Sequence, residues 1–185
     1  MSVRSACALL GLLAALAGAG ATAAEGPATV PPAAAMGAPK APPPAPPSET
    51  VLVGPTGKSL TITPAVLAGL NREQATMINH GAPHTYEGVR LTELLRLVDA
   101  PTGARVHAEA VKDYLVVTGA DGFRAVLSLA ETDGSVQPHP VILADKMDGA
   151  PLIPHDAPYR LVVDGDKKPS RSVYAITRIE VKVLP

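Results

Sequence analysis

Cysteine is all but missing from this 185-residue chain, with Cys7 its only representative. A disulfide framework and a cysteine-based zinc site are both excluded. Tryptophan is absent and aromatic residues make up 3% of the chain, so any core must be aliphatic. Neither charge sign dominates: 16 Lys and Arg face 17 Asp and Glu, and the pI is near 6.5. That balance points to neither nucleic acid nor an anionic membrane surface. There is no Gly-x-Ser-x-Gly elbow and no Gly-x-Gly-x-x-Gly fingerprint, and scattered Ser, His and Asp do not make a hydrolase without a positioning motif. Gly57-Lys58-Ser59 looks like the end of a phosphate loop, but the motif's first glycine would fall at Leu52, in a strand-turn-strand setting.

What the chain does have is strongly partitioned. Residues 1–24 read as a secretory signal. Arg4 supplies the positive start, Ala6 to Gly20 the apolar stretch, and Ala21-Thr22-Ala23-Ala24 the small-residue cleavage pattern. Adjacent arginines are lacking, so the leader matches general secretion rather than the twin-arginine route. Residues 25–47 are rich in Pro and Ala, with Pro42-Pro43-Pro44 at their centre. Such a segment favours extended polyproline II and reads as a disordered linker. The expected protein is therefore periplasmic or secreted, with no stable membrane span once the signal is removed.

Residues 48–185 read as one globular domain. Thr50 to Val53 and Ser59 to Thr63 form strands around the Gly54–Gly57 turn. Thr63-Pro64 caps a short helix that buries Val66, Leu67 and Leu70. Gln74 to Ile78 is a strand and Asn79 to His84 a loop. His80 and His84 are four apart, but Gly81 and Pro83 forbid a helix there and no third metal ligand is evident. Leu91, Leu94, Leu95 and Val98 form one apolar helical stripe. Tyr114–Thr118 and Phe123–Leu127 pair across Ala120-Asp121-Gly122, and Ser128 to Glu131 has the pattern of a capping box. Val141-Ile142-Leu143-Ala144 fits a buried strand, Asp148-Gly149 a chain reversal, and Leu161-Val162-Val163 another strand. From Thr177, Ile179, Val181 and Val183 alternate with Arg178, Glu180 and Lys182, so one face is buried. The fold class is α+β, a mixed β-sheet with a few short helices.

Four pieces in fixed order carry a family likeness: Asp148-Gly149-Ala150-Pro151-Leu152, Arg160-Leu161-Val162-Val163, Ser170-Arg171-Ser172-Val173, and the strand from Thr177 to Val183. Together with Tyr86-x-Gly88-Val89-x-Leu91-x-x-Leu94-Leu95, they resemble the oxidoreductase molybdopterin-binding domain, the fold of sulfite oxidases. The resemblance extends back to about Val51. It implies a sulfite-oxidase-like molybdopterin-binding fold, a molybdopterin cofactor and oxidoreductase chemistry.

Two features depart from that pattern. The family's metal-ligating cysteine would fall before Tyr86, where the chain reads Met77-Ile78-Asn79-His80, and soft sulfur is what such a metal prefers. The leader also implies export unfolded and empty. The expectation is a non-catalytic module with no catalytic residue, no metal ligand and no bound cofactor, its partner a small anion or a periplasmic protein. The alternative is a molybdopterin-dependent oxidoreductase. Lys168 and Arg171, in a loop that resembles the family's pterin-phosphate loop, are the expected anion-binding residues.

Overall fold

The run Val141-Ile142-Leu143-Ala144 is buried at all four positions because it sits between two layers of side chains. The computed structural model describes residues 49–185; the expected signal, 1–24, and linker, 25–47, lie outside them. In chain order the elements are β1 (Thr50–Val53), β2 (Ser59–Ile62), α1 (Pro64–Ala68), β3 (Arg72–Asn79), β4 (Ala82–Arg90), α2 (Leu91–Leu97), β5 (Tyr114–Gly119), β6 (Arg124–Ser128), β7 (Val141–Met147), β8 (Ala150–Pro151), β9 (Arg160–Val163) and β10 (Ile176–Lys182). Short 3-10 turns occupy Gly103–Arg105, Ala108–Lys112 and Ala130–Thr132.

The strands form two five-stranded sheets. The first runs β2-β1-β10-β5-β6 and is mixed: β1 lies parallel to β10, with Leu52 opposite Ile179, and the other pairs are antiparallel. In the second, β7 takes β4 on one side and β8 and β9 on the other, with β3 outside β4. The free side of β3 meets the chain leaving β9: the Gly165 N–H donates to Thr76 O at 2.9 Å and the Ile78 N–H to Asp166 O at 3.1 Å. This contact bends the second sheet back on itself.

Alternation along β7 divides the interior. Val141 and Leu143 join the main core with Leu52, Leu94, Leu115, Leu161 and Ile179. Ile142 and Ala144 join a smaller core with Ala75, Met77, Tyr86, Leu152 and Val162. Tyr159 and Tyr86 are the aromatic members of the two cores, as the scarcity of aromatics requires. Residue 88 must be glycine: β4 bulges against β7 there, and an added Cβ would lie 2.0 Å from the Leu143 carbonyl oxygen.

Local chemistry explains most boundaries. Thr63 Oγ1 accepts from the Val66 N–H at 3.3 Å, and Pro64 opens α1. Leu67 is the buried residue of that helix, while Val66 and Leu70 are half-covered. Leu91, Leu94, Leu95 and Val98 are fully buried on one side of α2. Three expectations need correction. Asn79 to His84 is a tight hairpin rather than a loop: His80 (φ 50°) and Gly81 (φ 83°) turn the chain and Ala82 already belongs to β4. Pro83 is tolerated because its partner Ile78 points its N–H toward Asp166, and β7 pairs with β4 only from Tyr86 onward. The capping box does not form: Ser128 Oγ accepts from the Ala130 N–H at 3.2 Å, and the Glu131 carboxylate turns to Arg171. Val183 is exposed and lies beyond β10.

Candidate functional site

The chain leaving β9 passes through Asp164-Gly165-Asp166 and reaches the basic loop Lys167–Ser172. Lys167 and Lys168 are exposed. Arg171 is half-buried, and its guanidinium is spent on carboxylates. Nε and Nη2 donate to the two oxygens of Asp166 at 2.9 and 3.1 Å, and Nη1 donates to Glu131 Oε1 at 2.6 Å. The hydrogen bonds it donates to Asp166 raise the Arg171 guanidinium above its ordinary range. Arg171 thus clasps its loop to the turn Ala130–Thr132. Lys168 and Arg171 do not converge on a shared point: one is exposed and the other meets acids.

A second cation, one strand away, is placed differently. Arg160 opens β9 and shares a face with Val162, so its side chain enters the smaller core and is only 5% exposed. Nη1 donates to Asp156 Oδ2 at 2.5 Å, and Nε donates to Ser172 Oγ at 2.8 Å. Ser172 Oγ in turn donates to Leu161 O at 2.6 Å. The guanidinium carbon lies 5.5 Å from the centre of the Tyr86 ring, close enough for a cation–π contact. Nη2 makes no hydrogen bond to a described residue. A buried guanidinium balanced by one carboxylate, with a nitrogen left over, is suited to an oxyanion.

The network continues outward. His155 Nδ1 lies 2.9 Å from Asp156 Oδ1, and its ring stacks on Tyr174 with centroids 4.3 Å apart. The Tyr174 hydroxyl donates to Asp121 Oδ2 at 3.0 Å, a bond that pushes the phenol pKa up. Inward, Asn79 Nδ2 donates to the Tyr86 hydroxyl at 3.4 Å. Burial pushes the Tyr86 phenol up and the nearby Arg160 charge opposes that shift only in part, so Tyr86 is neutral at physiological pH.

The segment before Tyr86, where the family resemblance would place a metal-ligating cysteine, runs along β3 into its turn. Met77 there is 1% exposed, packed among Ala75, Tyr86 and Ile142. His80 sits at the turn, and His84 Nδ1 pairs with Asp148 Oδ2 at 2.7 Å. Among the described residues no three His, Cys, Asp or Glu side chains converge as a metal site. The donor set of this strip does not fit a metal held by a protein thiolate.

The sequence pointed to Lys168 and Arg171 and not to Arg160, Asp156, Ser172 and Tyr86 as site residues. The signal for Arg160 was a charge heading a strand otherwise buried throughout, with Asp156 four residues before it. A fully buried ion of that kind needs a partner.

Comparisons with known proteins complete the picture. The description of an oxidoreductase molybdopterin binding domain matches residues 65–183. No curated protein sequence matches. Among solved structures, the sulfane dehydrogenase SoxCD from Paracoccus pantotrophus superposes with a TM-score of 0.53 at 19% identity, over 74% of this chain. The match covers 39% of that relative's chain, and at this identity the likeness is one of fold.

Proposed function

Because the chain belongs to the oxidoreductase molybdopterin binding domain family, we propose that it serves as an exported binding module that keeps the fold and takes up a small anion, without molybdenum redox chemistry. One observation carries this reading: Cys7 is the sole cysteine, so residues 49–185 offer no thiolate, and the end of β3 places the apolar Met77 side chain in the smaller core. A thioether in an aliphatic cluster cannot replace a thiolate as the covalent hold on the metal.

Anion recognition in this reading rests on Arg160, whose Nε is oriented by Ser172 while the Ser172 hydroxyl proton goes to Leu161 O, with Lys168 as an exposed cation in the same connection. Arg171 contributes by holding the loop in place, and an anion binding to its guanidinium would first have to displace Asp166 or Glu131. A periplasmic protein is the other class of partner. Export follows from the leader at residues 1–24.

A molybdopterin-dependent oxidoreductase is the second reading, favoured by the family match itself and by a buried arginine able to hold a phosphate. The two separate on one preparation. Protein isolated from its native compartment, denatured and oxidised, should release no pterin fluorescence. Stoichiometric pterin fluorescence would favour the oxidoreductase.

A further inference from the structure

Away from the Arg160 network, a surface cleft of about 280 Å³ opens where β4 runs into α2. Arg90, Glu93 and Arg96 form one wall, and Asp133, Gly134 and Ser135 the other. Three of the four carboxylate oxygens of the cleft are already engaged. Asp133 Oδ2 accepts from the Gly103 N–H at 2.6 Å, and Oδ1 accepts from the Ser135 N–H and hydroxyl at 2.9 and 2.6 Å. Glu93 Oε1 accepts from Arg96 Nη1 at 2.9 Å, and outside the cleft Glu73 takes Nε and Nη2 of Arg90. The guanidinium donors are not used up. Arg90 Nη1 makes no hydrogen bond to a described residue, and neither do Nε and Nη2 of Arg96.

Gly134 makes room for this arrangement. A Cβ there would lie 2.5 Å from Arg90 Nη1, so the absence of a side chain lets that nitrogen occupy the cleft, where Glu73 fixes its direction. Donors on the two planar cations outnumber the acceptors left to meet them, Glu93 Oε2 alone among the cleft's carboxylate oxygens having no partner among the described residues, so a ligand that brings acceptors would use the surplus. We propose that this cleft binds a small oxyanion, a carboxylate or phosphate group on a compound small enough for its volume, between Arg90 Nη1 and Arg96. The negative charge of Asp133 opposes the ligand and keeps binding weak, with a Kd of about 1 mM. The proposal does not rest on the family reading and concerns residues outside the Arg160 network.

The test is a titration of the isotope-labelled full exported chain with inorganic phosphate, against chloride at matched ionic strength, read by amide NMR. Saturable shifts at Gly103, Gly134 and Ser135 with phosphate but not chloride are expected. Arg96→Gln removes one cation from an exposed position. Gly134→Ala displaces the flexible end of Arg90 while keeping its charge. Each should weaken phosphate binding about tenfold, the loss of one charge-assisted hydrogen bond, with the melting temperature held. Acetate in place of phosphate separates carboxylate from phosphate selectivity. Shifts confined to residues 160–172, no saturation at the cleft amides, or equal affinity in both variants would overturn the proposal.

Discussion

Arg160 and Arg171 show why the same residue type a few positions apart does different work. Arg171 is half-exposed and meets two acids, so its contribution is modest: Arg171→Ala should cost roughly 1 kcal/mol, read as a shift in the denaturant midpoint. Arg160 and Asp156 are each 5% exposed, and removing one strands the other in the smaller core. Arg160→Leu should cost about 3–5 kcal/mol, whereas Arg160→Leu with Asp156→Leu should recover most of it. A single variant as stable as wild type would mean that the pair is hydrated rather than buried. Binding of a phosphate ester should be lost in Arg160→Lys and kept in Arg171→Ala; the reverse would return the anion to the basic loop. The sequence pointed to Lys168 and Arg171 because their loop resembles the family's pterin-phosphate loop, a likeness carried by neighbouring residues. Arg160 was hidden because its surroundings depend on Asp156 and Ser172, from two loops, and Tyr86, from β4, arriving around it.

At the level of elements, local patterns carried the strands wherever turn chemistry bracketed them. The period-two alternation in β10 and the Asp148-Gly149 reversal after β7 were both legible, and so was the single stripe of α2. The β3–β4 hairpin was not, because Gly81 and Pro83 look like loop residues until Asp166 is known to take the Ile78 N–H. The hairpin reading gives a test: Gly81→Val, forced to keep φ near 83°, should destabilise by about 1–2 kcal/mol. The segment between α2 and β7 has its own check. Burial alone would raise the Asp133 carboxyl, yet hydrogen bonds from the Gly103 N–H and from the Ser135 hydroxyl and N–H hold it below its ordinary range. A lowered folded-state pKa stabilises above the unfolded value, and that share is lost as pH falls through the folded one. Asp133→Asn should therefore lower stability at pH 7 and flatten the acid limb below about pH 4, with little difference from wild type at the lowest pH. Parallel acid limbs would remove Asp133 from this role.

The whole molecule is held by pairings that no local pattern announces. β1, near the start of the described residues, lies parallel to β10 near the end, and β7 divides one interior into two. Leu143 is fully buried in the middle of that division, so Leu143→Ala should cost roughly 2–5 kcal/mol, read by calorimetry or denaturant titration. The α+β class followed from the order of strands and helices, and the family likeness from the order of its motifs. The same sequence also declared what the fold cannot supply, since its one cysteine is Cys7. We propose that the fold persists here without a thiolate-held metal. Elemental analysis of the protein purified from its native compartment decides this: no stoichiometric molybdenum is expected, and about one molybdenum per chain would overturn the proposal.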